Sequence, residues 1–250
     1  VLALDPAGGS MPSTVGAWAH QVPAWLPSGA VASRFRPSVI TSDGRRRVLD
    51  DAYVVLDTAA LSGLGGFDVR RGRGVVRGDG TLTDADGGDY GAWSKPDVLV
   101  DAVGAGRDGA VLGARQLAYG QIFRDEDLPD DVRVPVLMDF TVPTGDHADR
   151  EGDGADGEYP ATFSYRLPLG DGTWLIEETI LAARASARAG DPRRAELHAY
   201  LRRIQLRRLA DLGVDPAIAI ADETVDFPMG PRRLPDNRRR TPGHGHFGAA

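Results

Sequence analysis

Apolar and polar positions sort this chain into three kinds of stretch. "VLALDP" (1–6) reads as a strand leaving water and ending in an acid, Asp5. "RRRVLDDAYVVLDTAALSGLGG" (45–66) predicts a strand and then a short helix around Leu61 that glycines end. "SKPDVLVDAVGAG" (94–106) is a parallel-strand signal, with Val98, Leu99, Val100 and Ala102 apolar before a glycine turn. Further along, "VRVPVLMDFTV" (132–142), "ATFSYRLPL" (161–169) and "TWLIEETILAAR" (173–184) are β-rich, and Gly170-Asp171-Gly172 between the last two signals a hairpin. In "DPRRAELHAYLRRIQLRRLADLG" (191–213) Asp191 caps a helix, Pro192 opens it and Gly213 ends it. Leu197, Tyr200, Leu201 and Ile204 form one apolar face, while the arginines fall all round the axis and predict a solvated helix.

Strand–helix alternation followed by an antiparallel block predicts an α/β architecture, a nucleotide-binding domain with a sheet-built substrate domain inserted. Its parts are 1–115 for the first domain, 116–235 for the sheet with its helix at 191–212, and 236–250 for the return. The acidic, glycine-rich stretch 143–160 between two strands reads as a loop.

Composition narrows the chemistry. The chain has no cysteine, which removes disulfides, thiolate metal sites and thiol nucleophiles. A net charge of −7 gives no general field toward nucleic acid. No apolar run reaches membrane-spanning length, so membrane association is expected to be peripheral. The chain opens on a strand without Met and stops on "GHGHFGAA", and we read it as an internal part of a longer protein. His244 and His246 flank a glycine, lack further ligands in the sequence, and read as loop residues.

Two features invite chemistry. Gly104, Gly106 and Gly109 have the G-x-G-x-x-G spacing after a strand, but "GQIFRDEDLPDD" downstream lacks the strand-ending acid of a dinucleotide fingerprint. Asp5 is the reverse case, a strand-ending acid without the glycine loop. It suits a ribose or an ordinary turn. The second feature is "LIEET", where Glu177 and Glu178 lie inside an apolar run. Ionised carboxylates are costly there unless paired or protonated. Alternation puts them on opposite faces, Glu177 with Leu175 and Thr179, Glu178 with Trp174, Ile176 and Ile180, which favours Glu178 as the more enclosed. The alternative is one glutamate in solvent and the other paired with an arginine such as Arg166.

Several stretches, in order, resemble the flavoprotein lycopene cyclases of carotenoid biosynthesis. "FSYRLPLGDGTWLIEET" (163–179) is similar to that family's Phe-Leu-Tyr-x-x-Pro segment and Leu/Val-x-Glu-Glu-Thr motif, and "FPMGPRRLP" (227–235) to its Ile-Pro-Met-Gly-Gly-x-Leu-Pro. "MDF" (138–140), "QLAYG" (116–120), "VDAVGAGR" (100–107) and "STVGAWAHQVPAWLP" (13–27) resemble further family segments. The resemblance implies an FAD-binding, Rossmann-like domain of the p-hydroxybenzoate-hydroxylase type with an antiparallel-sheet substrate domain. It implies reduced FAD as cofactor, NAD(P)H as its reductant, and Asp5, Asp101, Gly104 and Gly248 as cofactor-binding positions. The implied reaction isomerises linear lycopene to a ring-ended carotene by acid–base carbocation chemistry, with Glu177 and Glu178 catalytic and Glu177 the essential acid. Trp18, Tyr165 and Met229 would meet the substrate. The implied location is the cytoplasmic face of the membrane. Departures from the family pattern fall at Met11, Val15, His20, Gln21, Asp51, Pro231 and Arg232. Related FAD oxidoreductases (isoprenoid reductases or aromatic hydroxylases) and a non-catalytic polyene- or flavin-binding protein are the alternatives.

Overall fold

The structure is a computed structural model that describes residues 2–9, 13–66, 68–77, 79–84, 88–91, 94–101, 114–145, 159–185, 190–229 and 246–248. Gly104 and Met11 lie outside these residues, as do Pro231 and Arg232. In chain order the strands are β1 (Leu2–Asp5), β2 (Gly16–Trp18), β3 (Val31–Phe35), β4 (Ser38–Ile40), β5 (Arg46–Val48) and β6 (Tyr53–Leu56). A short helix α1 (Thr58–Ser62) precedes β7 (Asp68–Arg71), β8 (Gly74–Val76), β9 (Leu82–Asp84) and β10 (Leu99–Asp101). Then come β11 (Ala114–Arg124), β12 (Val136–Asp139), β13 (Phe163–Pro168), β14 (Thr173–Arg184), the helix α2 (Pro192–Asp211), β15 (Ala221–Pro228) and β16 (His246–Gly248).

The fold is mixed α/β and mostly strand. Seven strands form one sheet in the order β15-β11-β14-β13-β12-β4-β5, antiparallel throughout except for the parallel β12–β4 pair. The sheet thus draws β4 and β5 from outside the 116–235 span expected to hold it. β4 satisfies the free edge of β12, and Ser38 adds its amide and hydroxyl to the Pro135 carbonyl, both at 3.0 Å. A three-stranded sheet, β2-β6-β3, packs against the large one. Two parallel pairs, β1–β7 and β10–β16, stand apart from both sheets. Val98 and Val100 are more than half exposed beside that second pair, because a two-stranded ribbon covers few of its own side chains. His246, expected in a loop, begins β16.

The β13–β14 hairpin forms where its glycines predict it. Gly170 and Gly172 adopt φ of 93° and 81°, a region that side chains resist. At Gly170 a Cβ would also collide with the Ala32 carbonyl oxygen, so β3 approaches the turn closely. Ser33 completes that contact by donating to the Pro168 carbonyl at 2.6 Å.

Helix α2 starts as its sequence dictates, with the Asp191 carboxylate accepting from Arg193 N at 3.0 Å and Pro192 in the first turn. Leu197, Tyr200, Leu201 and Ile204 are fully buried against Leu117, Tyr119 and Ile180. Leu209 continues the stripe among Phe123, Trp174 and Ile176. Burial of each such aliphatic side chain contributes about 1.5–3 kcal/mol. The expected solvation of its arginines holds only in part. Arg208 is buried, and Arg202 lies over the Tyr119 ring at 4.5 Å, so both belong to the helix–sheet interface.

Candidate functional site

Strand alternation divides the residues of the central sheet between two faces. β14 presents Trp174, Ile176, Glu178 and Ile180 toward α2, as their shared clusters with helix residues show. Its other face carries Leu175, Glu177 and Thr179. There the neighbours across β13 are Leu167, Tyr165 and Phe163, and beyond them lies the three-stranded sheet with Trp18, Phe35 and Tyr53. The two glutamates therefore meet different chemistry, although both are almost inaccessible to water.

Glu178 is part of an ionic network. Its Oε1 accepts from Arg208 Nε at 2.6 Å. The same guanidinium donates to the Thr141 hydroxyl and carbonyl, each at 2.8 Å, and stands 3.7 Å from Asp139 Oδ1. Arg166 donates to the other Asp139 oxygen at 3.3 Å. Burial pushes Glu178 upward in pKa, and Arg208 and the Thr162 hydroxyl pull it the other way. The arginine across the hairpin, Arg166, lies opposite Ile176 and serves Asp139, so neither glutamate takes it as a partner. The partner that Glu178 does take comes from the helix.

Glu177 has no such partner. Among the described residues it forms no ion pair, and its one side-chain hydrogen bond is a 3.0 Å one from the Thr179 hydroxyl. Burial raises its pKa to about 8, and the charges of Glu223 and Glu178 add to that rise. A carboxyl in this state keeps its proton at neutral pH. Tyr165, directly across the strand pair, has its hydroxyl pushed up to about 12 by burial and by the neighbouring Glu177 and Tyr53. The aromatic groups continue through Tyr165–Phe163 (5.1 Å, edge-on) and Phe163–Phe140 (5.6 Å) on one side, and Tyr53–Trp18 (5.3 Å, edge-on) and Tyr53–Phe35 (6.0 Å) on the other.

Beside Glu177 the neighbouring strand carries a glycine, and the Glu177 and Leu175 side chains take the room over it. Gly120 of β11 pairs with Glu177 on one side and with Glu223 of β15 on the other. A Cβ at Gly120 would come within 2.8 Å of both Glu177 Cβ and Leu175 Cδ1. On the far side of Gly120, Glu223 is buried, and the Thr14 amide and hydroxyl each donate to one of its oxygens at 2.8 Å. The sequence offered no sign of Glu223. It is one acid among several in "ADETVDFP" (221–228), and its partner Thr14 is 209 residues away.

The other residues singled out in the sequence fall in separate places. Trp18 and Tyr165 lie on the aromatic side with Glu177. Met229, just past β15, binds the Ala114 carbonyl through its amide at 2.8 Å. It is six residues from Glu223 along an extended strand, or about 20 Å. Asp5 ends β1, and its carboxylate accepts from the amides of Ala7 at 3.0 Å and Gly9 at 2.7 Å. Asp101 and Gly248 end the parallel β10–β16 pair in register with each other. His20, Gln21 and Asp51 are exposed.

Residues 91–249 match the family described as Lycopene cyclase protein. The chain belongs to the lycopene cyclase family. An "Uncharacterized carotenoid cyclase" of Deinococcus radiodurans is 31% identical over an alignment of 239 residues that covers 87% of this chain and 51% of that protein. This lycopene cyclase family chain thus spans about half the length of the curated relative it matches. Among solved structures, a peptidyl tryptophan dihydroxylase, QhpG, essential for tryptophylquinone cofactor biogenesis, is similar at 14% identity and a TM-score of 0.47, over 90% of this chain and 49% of that one.

Proposed function

We propose that this chain carries the acid site of a carotenoid cyclase, in which Glu177 protonates the terminal alkene of a linear polyene such as lycopene. The observation that carries the reading is the setting of Glu177: buried, without a cation among the described residues and beside aromatic rings, with burial raising its pKa to about 8. Protonating an unactivated alkene requires a neutral acid in surroundings from which water is excluded. The tertiary cation that results is attacked by the neighbouring alkene to close the ring. Tyr165, Phe163 and Tyr53 line the same side, and their ring faces stabilise positive charge. Glu178, held by Arg208 on the opposite face, fastens the helix to the sheet and leaves Glu177 as the proton donor.

The family implies FAD, and the described residues fit its adenosine end. Asp5 stands at the end of a parallel strand, and the two turn amides leave lone pairs on its oxygens for a ribose hydroxyl. Asp101, Gly104 and Gly248 would complete the cofactor-binding set. Reduced FAD, maintained by NAD(P)H, would supply electron-rich density toward the cation when bound. We place the protein at the cytoplasmic face of the membrane as a peripheral enzyme, because a long hydrocarbon substrate is held in lipid and not in water. No described helix is long and apolar enough to cross a membrane.

The test is Glu177→Gln in the full-length protein, produced in cells that make lycopene. Loss of ring-ended product with flavin absorbance retained is the expected result. Undiminished cyclisation would refute the reading. Consumption of NAD(P)H in proportion to product would instead point to an FAD oxidoreductase.

A further inference from the structure

We propose that Glu223 is the second carboxyl of this site, the group that takes up the proton released at the end of ring closure and returns it to Glu177. The inference rests on the cyclase reading above and adds the missing half of its proton economy. An isomerisation that begins by giving away a proton must end by recovering one, and Glu178 cannot serve because it faces α2 and is bound to Arg208.

Three observations lead to Glu223. The register sets Glu223, Gly120 and Glu177 in one row across β15, β11 and β14, and directly paired residues project from the same face of a sheet. The middle position is glycine, and the Glu177 side chain lies over it. A Cβ at Gly120 would approach Glu177 Cβ to 2.8 Å and Cγ to 3.1 Å. β11 therefore puts no side chain of its own between the two glutamates, and the room over Gly120 is taken by the Glu177 and Leu175 side chains. Finally, Glu223 is buried although β15 is an edge strand, and it is fixed there by two hydrogen bonds from Thr14. An edge-strand glutamate ordinarily turns to water. Here a segment from the other end of the sequence holds it inward with one donor on each oxygen, so each oxygen keeps a lone pair for a proton.

The balance of the step is as follows. The O–H bond of Glu177 breaks, and the alkene's electron pair forms a C–H bond with that proton. The neighbouring alkene's pair forms the ring C–C bond and moves the cation onto the ring. A C–H bond beside the cation breaks, its electron pair becomes the ring double bond, and its proton goes to Glu223. Glu223 then returns the proton to the Glu177 carboxylate in the same row of the sheet. No electrons are gained or lost. The position of the base decides which C–H bond breaks, so Glu223 also selects where the ring double bond lies.

The test is Glu223→Gln in full-length protein, alongside Glu177→Gln. Glutamine keeps the shape and can keep both Thr14 contacts, because its amide N–H can donate to the Thr14 hydroxyl. The expected result is a fall in cyclisation of about 100-fold or more, the scale of general acid–base assistance. Residual product should show a shifted ring double bond or a hydroxyl from water capture of the cation, with the thermal unfolding midpoint maintained. Glu223→Asp should restore part of the rate with the parent's ring isomer. A Glu223→Gln rate within threefold of the parent and an unchanged ring isomer would overturn the proposal, as would loss of activity that follows loss of folded protein. If Glu177→Gln also remains active, the cyclase reading fails. If Glu177→Gln is inactive while Glu223→Gln is unaffected, only the role of Glu223 fails.

Discussion

Glu178 accepts a 2.6 Å hydrogen bond from Arg208, while Glu177, its immediate neighbour in sequence, points to the other face of the sheet with no cation from the described residues beside it. One peptide bond thus separates two buried acids with opposite solutions to the same problem. Glu178 is compensated by an arginine from α2 and stays in a structural network. Glu177 is uncompensated, and the cheapest state left to it is the protonated one. The separation follows from strand geometry, since successive side chains alternate faces.

Removing Arg208 should therefore harm the fold and spare the chemistry. Arg208→Met would leave Glu178 and Asp139 buried with one partner fewer each, and breaking such a pair from one side costs about 3–5 kcal/mol. Adding Glu178→Gln should recover part of that loss. Urea unfolding of the two single variants and the double variant gives the coupling directly. At temperatures where the protein remains folded, ring closure by Arg208→Met should stay within a few-fold of the parent.

Glu177 should lower stability as pH rises. Its folded-state pKa of about 8 is above the ordinary value of 4.5 because burial opposes ionisation. Below pH 4.5 the acid is protonated folded and unfolded, and it costs nothing. Between 4.5 and 8 the unfolded chain releases the proton and the native state retains it, so stability falls. The loss reaches on the order of 5 kcal/mol above pH 8. Glu177→Gln should match the parent near pH 4.5 and be more stable by several kcal/mol at pH 8.5. Equal unfolding midpoints at both pH values would show that the carboxyl is not buried in a protonated form.

The sequence disclosed local features and concealed those that join distant segments. Helix α2 was legible from Asp191, Pro192 and the spacing of Leu197, Tyr200, Leu201 and Ile204, because caps and periodicity are contained within one helix. The hairpin at Gly170-Asp171-Gly172 was legible for the same reason. Arg208 was read with the other arginines as solvated, since its partners Glu178 and Asp139 are 30 and 69 residues away. Alternation favoured Glu178 as the more enclosed acid, and it is indeed fully buried, yet periodicity could not show that an arginine comes with it. Glu223 carried no local signal and Gly120 entered only as the end of "QLAYG", because their meaning together depends on register among β15, β11 and β14.

The protonation state of Glu177 should also shape the rate. At pH 7 the protonated form outnumbers the carboxylate by about tenfold if the pKa is 8. The rate of ring closure should then be level near neutrality and fall about tenfold per pH unit above 8. An infrared titration of the buried carboxyl carbonyl band gives the same pKa without turnover. In Glu223→Gln that band should disappear at lower pH, because the negative charge of Glu223 is one cause of the rise. An unmoved titration would mean that the two carboxyls do not sense each other.

Gly120 is the position where packing and chemistry are hardest to separate, and substitution there tests both. Alanine adds a Cβ that meets Glu177 Cβ and Leu175 Cδ1 at 2.8 Å and Glu177 Cγ at 3.1 Å. Leu175 Cδ1 and Glu177 Cγ can rotate away, but Glu177 Cβ is fixed to its backbone, so the β11–β14 pairing at Glu177 must itself shift. Overpacking of this kind costs about 1–3 kcal/mol. The larger effect should be on cyclisation, because a shifted Glu177 no longer holds its carboxyl in place, and a misplacement near 1 Å can cost about 100-fold. Ala118→Gly, on the same face one turn of the pleat away, loses only a methyl group and should destabilise without comparable loss of rate. Measuring unfolding midpoints and product yield for both variants separates the two effects. Gly120→Ala activity close to that of Ala118→Gly would mean that the glycine between the two glutamates has no part in the reaction.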